Sequence, residues 1–145
     1  MISIESIAKE QMIKDAVRNF PDECCGFFYG TEDETGNRMI SEVLIVDNAK
    51  EGDKRKRFEV SPKDYLKAEQ FAEESGLDLL GVYHSHPDHP AIPSEHDRKS
   101  AQPYFSYIII SVYGKEIKDI RSWRLNNEFQ FEEEEINQTK EEINN

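Results

Sequence analysis

The apolar run Leu79-Leu80-Gly81-Val82-Tyr83 passes directly into His84-Ser85-His86-Pro87, and this junction constrains the fold more tightly than any other stretch of the chain. An apolar run of this length reads as a buried strand, and side chains alternate along a strand with period two, so His84 and His86 leave it on the same face. Their neutral ring nitrogens then converge on one point. All four histidines, His84, His86, His89 and His96, lie between His84 and Asp97, together with Ser94. Such a concentration of donors is what a zinc site looks like. Catalytic zinc is usually held by three protein ligands with water in a fourth position, and Asp97 is well placed as the third.

Ser94 and Asp97 also have a plain structural reading. Pro93-Ser94-Glu95-His96-Asp97 is how a helix begins, with Ser94 as N-cap and acids in the first turn. Both readings hold together if the cap starts a helix whose first turn brings Asp97 back to the strand end. His89 reads as a loop residue lining the cleft and His96 as a solvent-facing helix residue; neither is expected to bind metal.

The pattern His84-x-His86, seven residues, then Ser94-x-x-Asp97 resembles the motif of the JAMM (MPN+) metalloprotease family. Small prokaryotic members carry an upstream Pro-x-Glu-x-Cys-Gly segment, matched here by Pro21-Asp22-Glu23-Cys24-Cys25-Gly26. Taken alone, Glu23 is an exposed acid in a turn before a strand; the resemblance makes it the general acid/base. The similarity continues through Phe58-Glu59-Val60-Ser61-Pro62 and the strand from Tyr107 to Val112, covering about residues 5 to 125.

A length of 145 residues is close to the commonest domain size. Residues 1–131 are expected to form a single domain of this family and 132–145 an acidic, disordered tail opened by four successive glutamates. The first residues lack the pattern of a leader and no run approaches a membrane span, so a cytoplasmic protein with no membrane association is expected. Adjacent Cys24 and Cys25 suit a reducing compartment and read as packing residues. A net charge of -12 argues against nucleic acid as a partner. The basic run Lys54-Arg55-Lys56-Arg57 reads either as a solvated loop, the favoured view, or as a docking patch for an acidic partner. The oligomeric state is left open.

Helical spacing of Ile7, Met12, Ile13, Ala16 and Val17 predicts a helix over 6–19. Strands are expected at 25–31 and 39–46 as a hairpin, at 57–60, through the histidine run, at 107–113, at 119–125 and at 128–133. Ser61-Pro62 opens a helix running to about residue 74, with Gly76 as its C-cap. The order implies an α+β chain, a mixed β-sheet flanked by helices. The resemblance implies more narrowly the MPN/JAB, cytidine-deaminase-like α-β-α sandwich.

Two neutral imidazoles and one carboxylate leave zinc with net positive charge, lowering the pKa of its bound water towards about 7. The resemblance then implies that Glu23 moves the proton, that Ser94 helps stabilise the oxyanion, and that His84, His86 and Asp97 hold Zn2+. It also implies a substrate: the peptide or isopeptide bond after the Gly-Gly end of a ubiquitin-like or sulfur-carrier protein. Few residues separate Asp97 from the strand at Tyr107, so the long insertion of eukaryotic deubiquitinases is missing. The rival readings are a non-catalytic MPN-type scaffold and a zinc hydrolase acting on an unrelated small substrate. A zinc deaminase would need a Cys-x-x-Cys pair, which is absent.

Overall fold

The run that carries the two histidines becomes an inner strand of an eight-stranded mixed sheet. The computed structural model describes residues 1–137. In chain order its elements are β1 (Ile2–Ile4), α1 (Ser6–Asn19), β2 (Cys25–Glu32), β3 (Arg38–Val46), α2 (Pro62–Ser75), β4 (Asp78–Pro87), α3 (Glu95–Ser100), β5 (Ser106–Tyr113), β6 (Glu116–Leu125), β7 (Phe131–Glu134) and β8 (Ile136–Asn137). The strands lie in the order β7-β6-β5-β4-β2-β3-β1-β8. β4 pairs antiparallel with β2 and parallel with β5. This is the expected α+β sandwich, with helices on both faces of the sheet.

Alternation along the strands sorts the core into two layers. On one face Ala8, Met12 and Ala16 of α1 pack on Phe28, Leu80, Ile108 and Ile110. On the other, Ala68 of α2 packs with Phe27, Tyr29, Val82 and Tyr107. Each fully buried Ile, Leu or Phe contributes about 1.5–3 kcal/mol. A bulge decides which layer receives the histidines: Phe28 pairs with Gly81 but Tyr29 pairs with Leu79, leaving Leu80 as an extra residue in β4. The strand changes phase there. Leu80 joins the α1 layer, while Val82, and with it His84 and His86, face the α2 side.

The helix ends follow the sequence signals. The Ser61 hydroxyl accepts the Asp64 N–H at 3.1 Å, Pro62 occupies the first turn, and Gly76 adopts φ 73° at the C-cap of α2. Several expectations are corrected. Ile7 is 71% exposed, and the buried stripe of α1 is Ala8, Met12, Asp15 and Ala16. Residues 57–60 run alongside without joining the ladder, because Glu59 bonds Asn48 and Ala49 instead. β6 starts at Glu116, earlier than 119, and the following strand starts at Phe131, after a turn in which Asn126 Oδ1 accepts the N–H groups of Glu128 and Gln130.

The expected tail boundary at 132 falls inside the sheet. β7 pairs with β6, and each of its acids finds a partner in or just after that strand: Glu134 accepts the Ser122 hydroxyl at 2.7 Å, Glu133 lies 3.5 Å from Arg121, and Glu132 accepts from Asn126 Nδ2 at 3.0 Å. Ile136 of β8, paired parallel to β1, packs on the α1 layer. The rest of the expected tail, 138–145, lies outside the described residues. Among the described residues no helix is long and apolar enough to cross a membrane.

Candidate metal centre

Three donor atoms meet where β4 ends and α3 begins. His84 Nε2 and His86 Nε2 are 3.2 Å apart, and Asp97 Oδ2 lies 3.2 Å from His86 Nε2 and 3.4 Å from His84 Nε2. Ligands about 2.0–2.1 Å from a tetrahedral ion are separated by about 3.3–3.4 Å. The triangle therefore has the edge length such an ion needs, and two nitrogens with one oxygen are a donor set zinc accepts. These three residues could hold a metal ion.

Each corner is fixed by its local structure. The His86 Nδ1–H donates to the Pro90 carbonyl at 2.8 Å, which leaves Nε2 with its lone pair facing the triangle. His84 is wholly buried and its ring stacks on Phe58, with centroids 4.5 Å apart and planes at 25°. Its Nδ1 has no hydrogen-bond partner among the described residues, so packing sets that edge of the ring while Nε2 faces the triangle. Asp97 is held by a capping box: Ser94 N–H donates to Asp97 Oδ2 at 2.9 Å, and Ser94 Oγ accepts the Asp97 N–H at 3.0 Å. The helix start and the donor position are thus one structure.

Burial pulls His86 down, but its hydrogen bond to Asp97, the Pro90 carbonyl and nearby negative charge outweigh it and leave this imidazole raised. Desolvation dominates at His84 and lowers it. Burial raises Asp97, yet the two imidazoles and the Ser94 N–H more than reverse this, holding its carboxyl far below the usual range.

Glu23 is 5% exposed, not the open turn acid its neighbours suggest, and burial pushes its carboxyl up to about 8. It shares a cavity of about 350 Å³ with His86, His89, Ser94 and Lys56. A second cavity, of about 270 Å³, reaches His84 and Asp97 between Phe58, Val60, Tyr65 and Tyr107. His89 lines the cleft as expected; His96 is half-buried against the second cavity and not turned to solvent. The thiols of Cys24 and Cys25 are free and buried, and desolvation raises both, so neither is a thiolate nucleophile at neutral pH.

The profile for prokaryotic homologs of the JAB domain matches residues 6–126, an interval that contains every donor above. The chain belongs to this family. It is 32% identical over 114 residues to a desampylase of Haloferax volcanii, covering 78% of this chain and 76% of that protein. It is 33% identical over 98 residues to a probable TtuB-protein conjugate cleaving protease of Thermus thermophilus, covering 68% of this chain and 62%, less than two thirds, of that protein. It is 29% identical over 115 residues to a CysO-cysteine peptidase of Mycobacterium bovis, covering 79% of this chain and 75% of that one. Among solved structures, a Desulfitobacterium hafniense protein superposes with TM-score 0.83 at 29% identity, covering 96% of this chain and 93% of that one. A JAB1/MPN domain protein from Archaeoglobus fulgidus shares the fold with TM-score 0.60 at 18% identity, covering 96% and 99%.

Two residues of this JAB-domain chain that the sequence did not single out place Glu23. Ser85, between the histidines but on the opposite face, accepts the Cys24 N–H through its hydroxyl at 2.8 Å and donates its own N–H to the Cys24 carbonyl at 3.2 Å. Asn48 donates from Nδ2 to the Glu23 carbonyl at 3.1 Å and to the Arg57 carbonyl at 3.0 Å. Period two foretells that Ser85 is buried away from the histidines; nothing local marks Asn48. Gly26 completes the approach, since a Cβ there would lie 2.4 Å from the Tyr83 ring, whose hydroxyl donates to buried Asp15 at 2.8 Å.

The raised Glu23 has a measurable consequence in the metal-free protein. The folded chain keeps a proton up to about pH 8 that the unfolded chain releases near its ordinary value of 4.5, so folded protein binds more protons between these limits. Stability contributed by the neutral form is complete below pH 4.5 and is lost as pH rises towards 8. Glu23→Gln removes this dependence. Relative to the variant, wild type should lose up to about 4 kcal/mol across the window, measured by urea unfolding of both metal-free proteins at several pH values. Parallel profiles would show Glu23 to be solvated. His84 titrates in both proteins and cancels in the comparison, while His86, which Glu23 helps to hold raised, adds a smaller difference of its own.

Proposed function

We propose that this chain is a zinc-dependent metallopeptidase of the JAMM type that hydrolyses a peptide or isopeptide bond after the Gly-Gly end of a ubiquitin-like or sulfur-carrier protein. The observation that carries the reading is the donor triangle of His84, His86 and Asp97 next to a buried, high-pKa acid, Glu23, in a family whose relatives bear peptidase names. Two free, buried thiols support the expected cytoplasmic location.

Zinc held by His84, His86 and Asp97 would supply a water acidic enough to lose its proton near neutral pH and a Lewis acid for the scissile carbonyl. Glu23 accepts that proton and delivers it to the departing amine. A carboxyl lifted to about 8 by burial is matched to a group that must both take and release a proton near neutrality, and a cation bound beside it would bring it lower. The Ser94 oxygen spends a lone pair on the Asp97 N–H, so its own O–H remains free to donate to the oxyanion; one such donor is worth about 3 kcal/mol. Residues 58–60 line the second cavity, where a tail can lie beside them as an added strand. Glycines in that tail let its carbonyl approach the donor triangle without a side chain in the way.

The test is incubation of zinc-loaded protein with ubiquitin-like proteins extended beyond Gly-Gly, read by mass spectrometry. Products ending at the second glycine are expected, lost with a chelator and regained with zinc. A fully zinc-loaded protein that leaves every Gly-Gly extension intact would overturn the reading in favour of a binding scaffold or a hydrolase of unrelated small molecules.

A further inference from the structure

The chain carries 30 acids against 18 lysines and arginines, yet its densest run of cations stands at the mouth of the donor triangle. Residues 50–59 hold five cations, Lys50, Lys54, Arg55, Lys56 and Arg57, against three acids. Lys56 lines the cavity of Glu23 and Lys50 that of His84 and Asp97, so the segment borders both sides of the centre. Lys54, Arg55, Lys56 and Arg57 are all exposed. Among the described residues only Arg55 has an ion-pair partner in this run, Asp53 at 3.2 Å, and both members are solvent-exposed. Such a pair is weak enough for an incoming carboxylate to replace Asp53.

The segment is also built into the site. The Glu23 N–H donates to the Lys54 carbonyl at 2.7 Å, and Asn48 ties the Arg57 carbonyl to the Glu23 carbonyl. Asn48 Oδ1 accepts the N–H groups of Lys50 and Glu59, each at 3.0 Å, and the Ala49 N–H donates to the Glu59 carbonyl at 2.8 Å. Both ends of the loop are thereby stapled to each other and to the backbone of Glu23. A solvated loop that only offset nearby acids would have no need of that connection.

We infer that the exposed basic run Lys54-Arg55-Lys56-Arg57 is the docking surface for an acidic face of the substrate protein, next to the point where that protein's tail enters the cleft. The inference rests on the proposed hydrolysis of a protein tail. An acidic partner is repelled by the bulk of a molecule with net charge -12 and attracted at this run, so the field orients it as well as holding it. The same overall charge disfavours nucleic acid, whose phosphates would meet that repulsion along their whole length.

The test uses two fluorescein-labelled peptides that end at a Gly-Gly carboxylate and contain no scissile bond. One carries a run of Glu and Asp before the glycines, the other Gln and Asn in the same places. By anisotropy at low salt the acidic peptide should bind about tenfold more tightly, and the difference should vanish at about 0.5 M salt. In Lys54→Glu/Arg55→Glu the preference should invert. Equal affinities for wild type, or a preference indifferent to salt and to charge reversal, would overturn the inference. Displacement of the acidic peptide by a single-stranded oligonucleotide of equal charge at lower concentration would do so too. The wild-type salt series stands even if the double variant misfolds. Because the readout has no hydrolytic step, a protein that cleaves no carrier can still show the preference, and one that cleaves carriers can still lack it.

Discussion

Asp97→Ala should empty the metal centre. Its Oδ2 is the only oxygen in the donor triangle and sits within 3.4 Å of both imidazole nitrogens. Changes to groups that merely orient a metal ligand typically cost 10- to 100-fold in affinity, so loss of the ligand itself should weaken zinc binding by more than about 100-fold. The same carboxylate closes the capping box with Ser94, and that loss should cost about 1 kcal/mol of folding stability. Asp97→Asn separates the two effects, since the amide oxygen can still accept the Ser94 N–H while the negative charge is gone. Its metal-free melting point should lie nearer wild type than that of the alanine variant, with zinc affinity still sharply reduced. His84→Ala should lose zinc through a different route, leaving the cap intact and the face of Phe58 bare. Elemental analysis and zinc titration decide the matter. A full zinc complement in Asp97→Ala and His84→Ala would break the ligand assignment, whatever happens to activity.

The donor triangle was legible because its parts are local. His84 and His86 are two apart on a strand, and Ser94 and Asp97 are three apart at a helix start, so backbone geometry alone aims each pair. The caps of α2 were legible for the same reason: Ser61-Pro62 and Gly76 meet requirements of the backbone within one turn. What escaped depends on partners distant in sequence. β1 and β8 are three and two residues long, and they pair Ile2 with Arg38 and with Ile136, contacts with no periodic trace. The glutamates of β7 look like a solvated run until Arg121, Ser122 and Asn126 are placed opposite them. In 57–60 the alternation of Phe58 and Val60 is real, since both line the second cavity, but the main-chain partners of Glu59 are Asn48 and Ala49 and not a strand. Glu23 is the same case: the backbone around it is held by Ser85, through Cys24, and by Asn48, neither of them a neighbour in the chain.

Glu23→Gln should abolish most turnover while leaving zinc in place. The amide has nearly the shape of the acid, fits the same buried site between β2 and the basic loop, and cannot carry a proton at any working pH. Glu23 is outside the donor triangle, so metal content and the fold should be retained; without metal, the amide should even be the more stable form above the ordinary carboxylate range, where burying an ionised Glu23 is costly. General acid–base catalysis by one positioned group is typically worth about a hundredfold to ten-thousandfold, and a loss of kcat in that range is expected. The KM for a Gly-Gly-extended carrier should change little, because the tail is held by the cleft and not by this carboxyl. The pH profile gives a sign that simple misfolding would not: the limb set by Glu23 should disappear, leaving residual activity that no longer follows that titration. An unchanged kcat would remove Glu23 from the mechanism. Loss of zinc together with kcat would instead make it part of the metal site, and the proton would then need another carrier, for which His89, lining the same cavity, is the candidate.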